Sequence, residues 1–201
     1  MEYYRIHAAT MDPCTPDREH FDRSQAVWCP ECSALVSCSG PLTMRIQGTR
    51  LSRSPLNMVH GYSDVGLIRA DLLAAIPSEV VSASLVVGPL HGDDGRPIPE
   101  WHCFYSPHRL IVRGSSHVSL RHCARCRHPY YFARGESYLC PAPRSDISLF
   151  HPGWCVLVVD ERVFQAVAPL IERRLRADRL PVLTEPRDGL THEIEFTTTA
   201  A

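Results

Sequence analysis

The chain of 201 residues contains no lysine: its 21 basic residues are all arginine, set against 22 acidic ones, for a formal charge of -1. That balance removes the basic excess with which a protein grips nucleic acid through its phosphates, so nucleic acid is not an expected partner. No run approaches the ~18 uninterrupted apolar residues of a membrane-spanning helix. The opening stretch, MEYYRIHAATMDPC, has no apolar segment of the length a secretion signal needs. The expectation is a cytoplasmic protein with no membrane partner. Catalytic signatures are missing as well: there is no GxSxG, no P-loop and no GxGxxG. A zinc deaminase needs His-x-Glu upstream of Pro-Cys-x-x-Cys. Here His192-Glu193 lies downstream and lacks that spacing. These absences predict a protein that is not an enzyme.

What is present is a core and a set of thiols. With 44% hydrophobic residues the chain can build one domain, residues 1–201. Nine cysteines are many for a reducing compartment, and without a secretion signal they favour metal over a disulfide framework. Four of them form two Cys-x-x-Cys pairs, Cys29 with Cys32 in AVWCPECSALVSC and Cys123 with Cys126 in SLRHCARCRHPYYF, separated by the 90 residues from 33 to 122. A Cys-x-x-Cys turn offers two thiolates at the separation a tetrahedral zinc ion requires, and two such turns complete its shell. The pattern predicts one structural Zn2+ on Cys29, Cys32, Cys123 and Cys126. The metal would hold together the ends of a long insertion, and its binding energy would be folding energy.

The rest of the chain supports an α+β fold: a mixed sheet with few helices and a zinc-ribbon-like element assembled from two distant CxxC knuckles. The ribbon-like part is 26–39 plus 119–133, with an insertion lobe at 40–118. Tyr3, Tyr4 and Ile6 suit a short edge strand, and Leu42–Ile46 another strand. Val65–Ile68 is an apolar run, followed by a helix from Asp71 carrying Leu72, Leu73 and Ile76, which Pro77 ends. Leu85–Val87 is a second run, closed by Gly88-Pro89. HGDDGRPIPE (91–100) reads as a turn-rich loop, and its Asp93-Asp94 as an exposed turn in preference to a cation site. Trp101–Tyr105 and Arg109–Val112 read as strands.

The clearest unit is 154–183: an apolar strand at Trp154–Val159, an N-cap at Asp160, a helix, and a returning strand at Leu180–Leu183. Val163, Phe164, Val167, Leu170, Ile171 and Leu175 make one helix face, which Pro169 would kink or divide. Residues 64–90 and 154–183 share a strand–helix–strand plan, as a degenerate repeat would, with the commonness of that plan the competing explanation.

Alternatives for the cysteines are specific. His122 and His128 flank the second pair and are candidates to replace a thiolate. Cys38 and Cys140 lack partners at ligand spacing. Cys103 and Cys155 fit core packing, and Cys14 a polar segment. A thiol–disulfide enzyme would need a helix starting at its reactive CxxC, and Ser33–Gly40 is too short and too rich in Ser and Gly for one. A zinc-ribbon adaptor of an enzyme or nucleic-acid-processing complex is the other alternative.

YYRIHAA, VWCPEC, HCARC, SDISLFHPGWCVLVVDERVFQAV and LPVLTEP, in that order, resemble a bacterial paralogous family named for its double CxxCG motif. Some of its members are described as immunity proteins against toxins delivered between cells. The resemblance covers both ends of the chain and leaves 40–100 poorly matched. Ser33 and Arg127 stand where the family has glycine after each second cysteine, a place where glycine permits a positive φ. The resemblance implies a non-catalytic cytoplasmic protein that binds and neutralises a cognate protein toxin encoded by a neighbouring gene. Trp101, His102, Tyr105, His108 and Arg109, or Tyr130 and Tyr131, are the candidate contact residues, with core packing the competing explanation for each.

Overall fold

The architecture comes from a computed structural model, which describes residues 2–8, 26–32, 34–38, 40, 42–47, 51, 54–59, 62–108, 110, 112–140, 142–143, 146–153, 156–171 and 175–187. Cys14, Arg109, Cys155, His192 and Glu193 lie outside the described residues, as do the side chains of His122, Tyr130 and Tyr131.

Among the described residues the chain opens with β1 (Tyr3–Ala8), β2 (Ala26–Trp28), β3 (Leu35–Cys38) and β4 (Met44–Arg45). Next come β5 (Leu56–Val59), β6 (Tyr62–Arg69), α1 (Ala70–Ala75), α2 (Ser78–Ser84), β7 (Val86–His91) and β8 (Pro97–Tyr105). Then follow β9 (Val112–Gly114), β10 (His117–His122), β11 (Pro129–Arg134) and β12 (Ser137–Leu139). The chain closes with β13 (Leu149–Gly153), β14 (Val156–Asp160), α3 (Glu161–Ile171) and β15 (Leu175–Leu180). This is an α+β fold with mixed sheets, few helices and a zinc-ribbon-like element.

Local chemistry explains the helices. Asp160 Oδ1 accepts from the backbone N–H of Val163 at 2.9 Å, the N-cap bond that satisfies a free donor in the first turn of α3. Val163, Val167 and Ile171 then face the core. Pro169 lies inside α3, whose described span runs to Ile171. Leu175, placed on the helix face by its spacing, instead begins β15, and the returning strand falls at Leu175–Leu180, earlier than Leu180–Leu183. At the other unit Asp71 lies in the first turn of α1, where its Oδ1 accepts from the N–H of Leu72 at 2.8 Å. Pro77 separates α1 from α2, its fixed φ suiting the position before a helix start.

Two sheets dominate. One has the order β13-β14-β1-β15, the other β4-β7-β8-β6-β5. β1 runs antiparallel to both β14 and β15, so it is a central strand rather than the edge strand its sequence suggests. Tyr3 and Ile6 are accordingly buried on opposite faces of the sheet. β8 likewise runs antiparallel to both β6 and β7, and the short β4 joins parallel to β7. The units at 64–90 and 154–183 therefore share a plan: a hairpin (β5–β6 or β13–β14), a helical crossover, and a parallel return strand. In each, one antiparallel strand is slotted between the parallel pair.

The cores follow from strand alternation. Leu157 and Val159 of β14 join Ile68, Leu72, Val80, Phe104, Val163 and Val167 in one cluster fed by both units, with α1 against α3. Val158 points the other way, into a cluster with Tyr3, Leu139, Phe150 and Leu180. In β6 and β8, Val65, Leu67, Trp101 and Cys103 form a third cluster with Leu35, Met44 and Leu90. Because both faces of β14 and β6 are covered, their sequences read as continuous apolar runs rather than alternating ones.

Candidate metal centre

The candidate metal centre is built from two hairpin tips. Knuckle residues Cys29–Cys32 connect β2 to β3, which pair antiparallel, and Cys123–Cys126 connect β10 to β11, also antiparallel. Each turn is closed in the same way. The N–H of Cys29 donates to the carbonyl of Ala34 at 2.9 Å, and the N–H of Cys123 donates to the carbonyl of His128 at 2.9 Å. In each case the acceptor is the fifth residue on. The first hairpin is seated on the five-stranded sheet through Leu35, with Trp28 and Cys38 packed beside it.

The four sulfurs meet. One ligand atom from each of Cys29, Cys32, Cys123 and Cys126 lies within 4.8 Å of all the others. Across the knuckles, Cys29 Sγ is 3.8 Å from Cys123 Sγ, and Cys32 Sγ is 3.5 Å from Cys126 Sγ. A tetrahedral ion with metal–sulfur bonds of ~2.3 Å places its sulfurs about 3.8 Å apart. The donor set and its spacing therefore fit a metal ion, and the four cysteines predicted from sequence are the four that converge.

Electrostatics points the same way. Burial raises the Cys29 thiol, but the backbone N–H groups of Cys32 and Glu31 and the thiols of Cys32 and Cys126 outweigh it and lower it to about 7. Cys126 is pushed up to about 12, by burial first and then by the neighbouring sulfurs, against one favourable N–H from His128. The surroundings thus favour the thiolate at Cys29 and oppose it at Cys126. Glu31 Oε2, 3.7 Å from Cys123 Sγ, adds a further carboxylate at the rim. A bound dication would reverse that penalty, favouring thiolates by displacing their protons.

Backbone geometry beneath the second knuckle is specialised. Arg127 has φ +61°, the left-handed region glycine usually occupies, and its N–H donates to the carbonyl of Cys123 at 3.0 Å. The turn required at this place is made without the glycine. Ser33, its counterpart, lies outside the described residues.

The remaining candidates separate from the cluster. His128 turns to Asp64, with Nε2 3.7 Å from Oδ1. Cys38 donates its thiol to the carbonyl of Gly40 at 2.9 Å. Cys103 is fully buried, donates to the carbonyl of Leu42 at 3.0 Å, and is pushed up to about 12 by burial, as an inert core thiol should be. Cys140 is buried as well, and all seven cysteines among the described residues are free of disulfides. Asp93 and Asp94 occupy the β7–β8 turn, where Asp94 Oδ1 accepts from the N–H of Arg96. After Cys32 the chain continues into strand β3, not the helix that a redox CxxC uses.

Asp64 was not legible as part of this centre. Its Oδ2 accepts from the N–H of Leu35 at 3.1 Å, and its Oδ1 faces His128. Only the fold brings a β6 carboxylate to both knuckles. Of the candidate contact residues, Trp101 is 6% exposed and belongs to the core. Tyr105 packs against the same cluster, and His102 is half-buried. His108 Nε2 lies 2.8 Å from the carbonyl of Ala83. The exposed large apolar side chains nearest the first knuckle are Val27 (55%) and Val36 (53%), one on each arm of its hairpin. None of the described helices is long and apolar enough to cross a membrane. No protein-family profile matches the chain, and no curated protein matches it.

Proposed function

We propose that the chain is a zinc-stapled, non-catalytic cytoplasmic protein that binds a cognate protein toxin and neutralises it. The observation that carries the reading is the convergence of four cysteine sulfurs from segments 94 positions apart, at separations of 3.5 and 3.8 Å across the knuckles. Four thiolates fill the shell of a tetrahedral ion and leave no open position for substrate or water, which is the arrangement of a structural site rather than a catalytic one. Zinc is the favoured ion because it has no redox chemistry to manage and takes thiolate ligands in this geometry. The partner comes from the resemblance to the double-CxxCG immunity proteins. The even balance of acidic and basic residues suits a protein partner better than a nucleic acid.

The test is growth of cells expressing the product of the neighbouring gene, with and without this chain. The expected result is a toxic neighbour, growth restored by co-expression, and a stable complex containing one zinc ion per copy of this chain. Cys32→Ser, lacking a ligand, should protect less well. A toxic neighbour that still kills in the presence of folded, zinc-loaded protein, or a harmless neighbour, would sink the immunity reading.

A further inference from the structure

One buried carboxylate touches both halves of the metal centre. Asp64 stands in β6, whose neighbouring residues Val65 and Leu67 are anchored in the core of the five-stranded sheet. Its side chain is 9% exposed, and that of His128 is 11% exposed. Oδ2 accepts from the N–H of Leu35, the residue immediately after Ala34, which closes the first knuckle. Oδ1 lies 3.7 Å from Nε2 of His128, the residue whose carbonyl closes the second knuckle and whose N–H points at Cys126. The two closing residues are equivalent in their turns, and a single carboxylate reaches both exits.

We propose that Asp64 is a positioning residue for the metal centre: it braces the two knuckles at the mutual distance that four-sulfur coordination requires. The proposal rests on the reading of the cysteine cluster as a metal site. Bonds within each hairpin fix the two sulfurs of that hairpin relative to each other. They do not fix one hairpin relative to the other. The cross-knuckle separations of 3.5 and 3.8 Å need an outside reference. β6 supplies it, because the sheet core holds it in place and Asp64 projects from it to both turns. Groups that orient ligands without touching the metal are typically worth about 10–100-fold in affinity.

The experiment measures Zn2+ affinity by chelator competition and records the Co2+ spectrum of the full chain, comparing wild type with Asp64→Ala, Asp64→Asn and Ile68→Ala. Asp64→Ala should lower affinity about 10–100-fold. It should keep the intensity of the thiolate-to-cobalt bands, since all four ligands remain, while shifting the ligand-field bands as the tetrahedron distorts. Asp64→Asn keeps an oxygen for the Leu35 N–H but loses the charge facing His128, so its affinity should fall between the two. It also decides the matter if Asp64→Ala does not fold. Ile68→Ala weakens the same strand from within the other core cluster, which contains no residue of either knuckle hairpin. It should lose thermal stability with affinity held within about twofold and the Co2+ spectrum unchanged. Wild-type affinity and spectrum in both Asp64 variants would overturn the role of Asp64, as would an equal loss in Ile68→Ala. A wild-type protein that takes up neither Zn2+ nor Co2+ would instead overturn the metal reading itself.

Discussion

At the scale of single residues, the second knuckle holds a non-glycine residue in the left-handed region of backbone space. Arg127 adopts φ +61°, where the Cβ of an L-residue crowds the backbone. Its side chain is exposed, so nothing in the core repays the conformation. Arg127→Gly should therefore stabilise the folded, metal-loaded protein by up to about 1 kcal/mol. Glycine's greater freedom in the unfolded chain offsets part of that gain. Thermal unfolding of the two proteins with metal bound checks this, and a clear loss of stability would mean the side chain makes a contact worth more than the strain. The four converging cysteines were legible in the sequence because a Cys-x-x-Cys turn is a local signal, complete within four residues. Asp64 was not, because an aspartate before an apolar run has many ordinary explanations. Its place at the centre depends on β6 passing beside two hairpins that are distant in sequence.

At the scale of elements, legibility followed burial. The apolar runs around Val65–Ile68 and Val156–Val159 stood out because their strands are covered on both faces. β15 did not stand out. Its sequence LRADRL is buried at its two ends and exposed between them, so it shows neither an apolar run nor alternation. It lies at the edge of its sheet, where charged side chains discourage pairing with other chains. Gly88 likewise read as the end of a strand, yet it lies inside β7. The segment before β4 passes so close that a Cβ on residue 88 would sit 1.8 Å from the carbonyl oxygen of Leu42. That carbonyl also accepts the Cys103 thiol at 3.0 Å, so it cannot move without breaking a buried bond. Gly88→Ala should thus cost about 1–3 kcal/mol or more, as overpacking of a close-packed site does. The chemical-denaturation midpoint measures it. A midpoint equal to that of wild type would show that the segment before β4 yields freely.

At the scale of the whole molecule, the question is how much of the fold the metal holds. The strand–helix–strand plan shared by the two units was visible in sequence, but the slotted middle strand was not. β8 follows its unit directly, while β1 arrives from the start of the chain, so no common period marks them. That arrangement matters for stability. β1 closes the four-stranded sheet by pairing on both sides, and the largest core cluster draws on both units without using a residue of either knuckle. Each aliphatic or aromatic side chain buried there contributes about 1.5–3 kcal/mol of transfer free energy, independent of metal. The knuckle hairpins differ. Apart from Leu35 and its neighbours on the five-stranded sheet, the first hairpin is tied down by the bond from the Leu35 N–H to Asp64, and a bound ion would add to that tie. Chelation under reducing conditions should therefore unfold the molecule in two stages. Hydrogen-exchange protection should be lost first from β2–β3 and β10–β11, while β1, β6, β8 and β14 keep theirs. Backbone hydrogen exchange, read segment by segment before and after chelation, separates the possibilities. Protection that collapses everywhere in one step would mean the metal supports the whole domain. Protection unchanged in the knuckles would mean that the sulfurs are held by the hairpins alone and that the ion adds nothing to the fold.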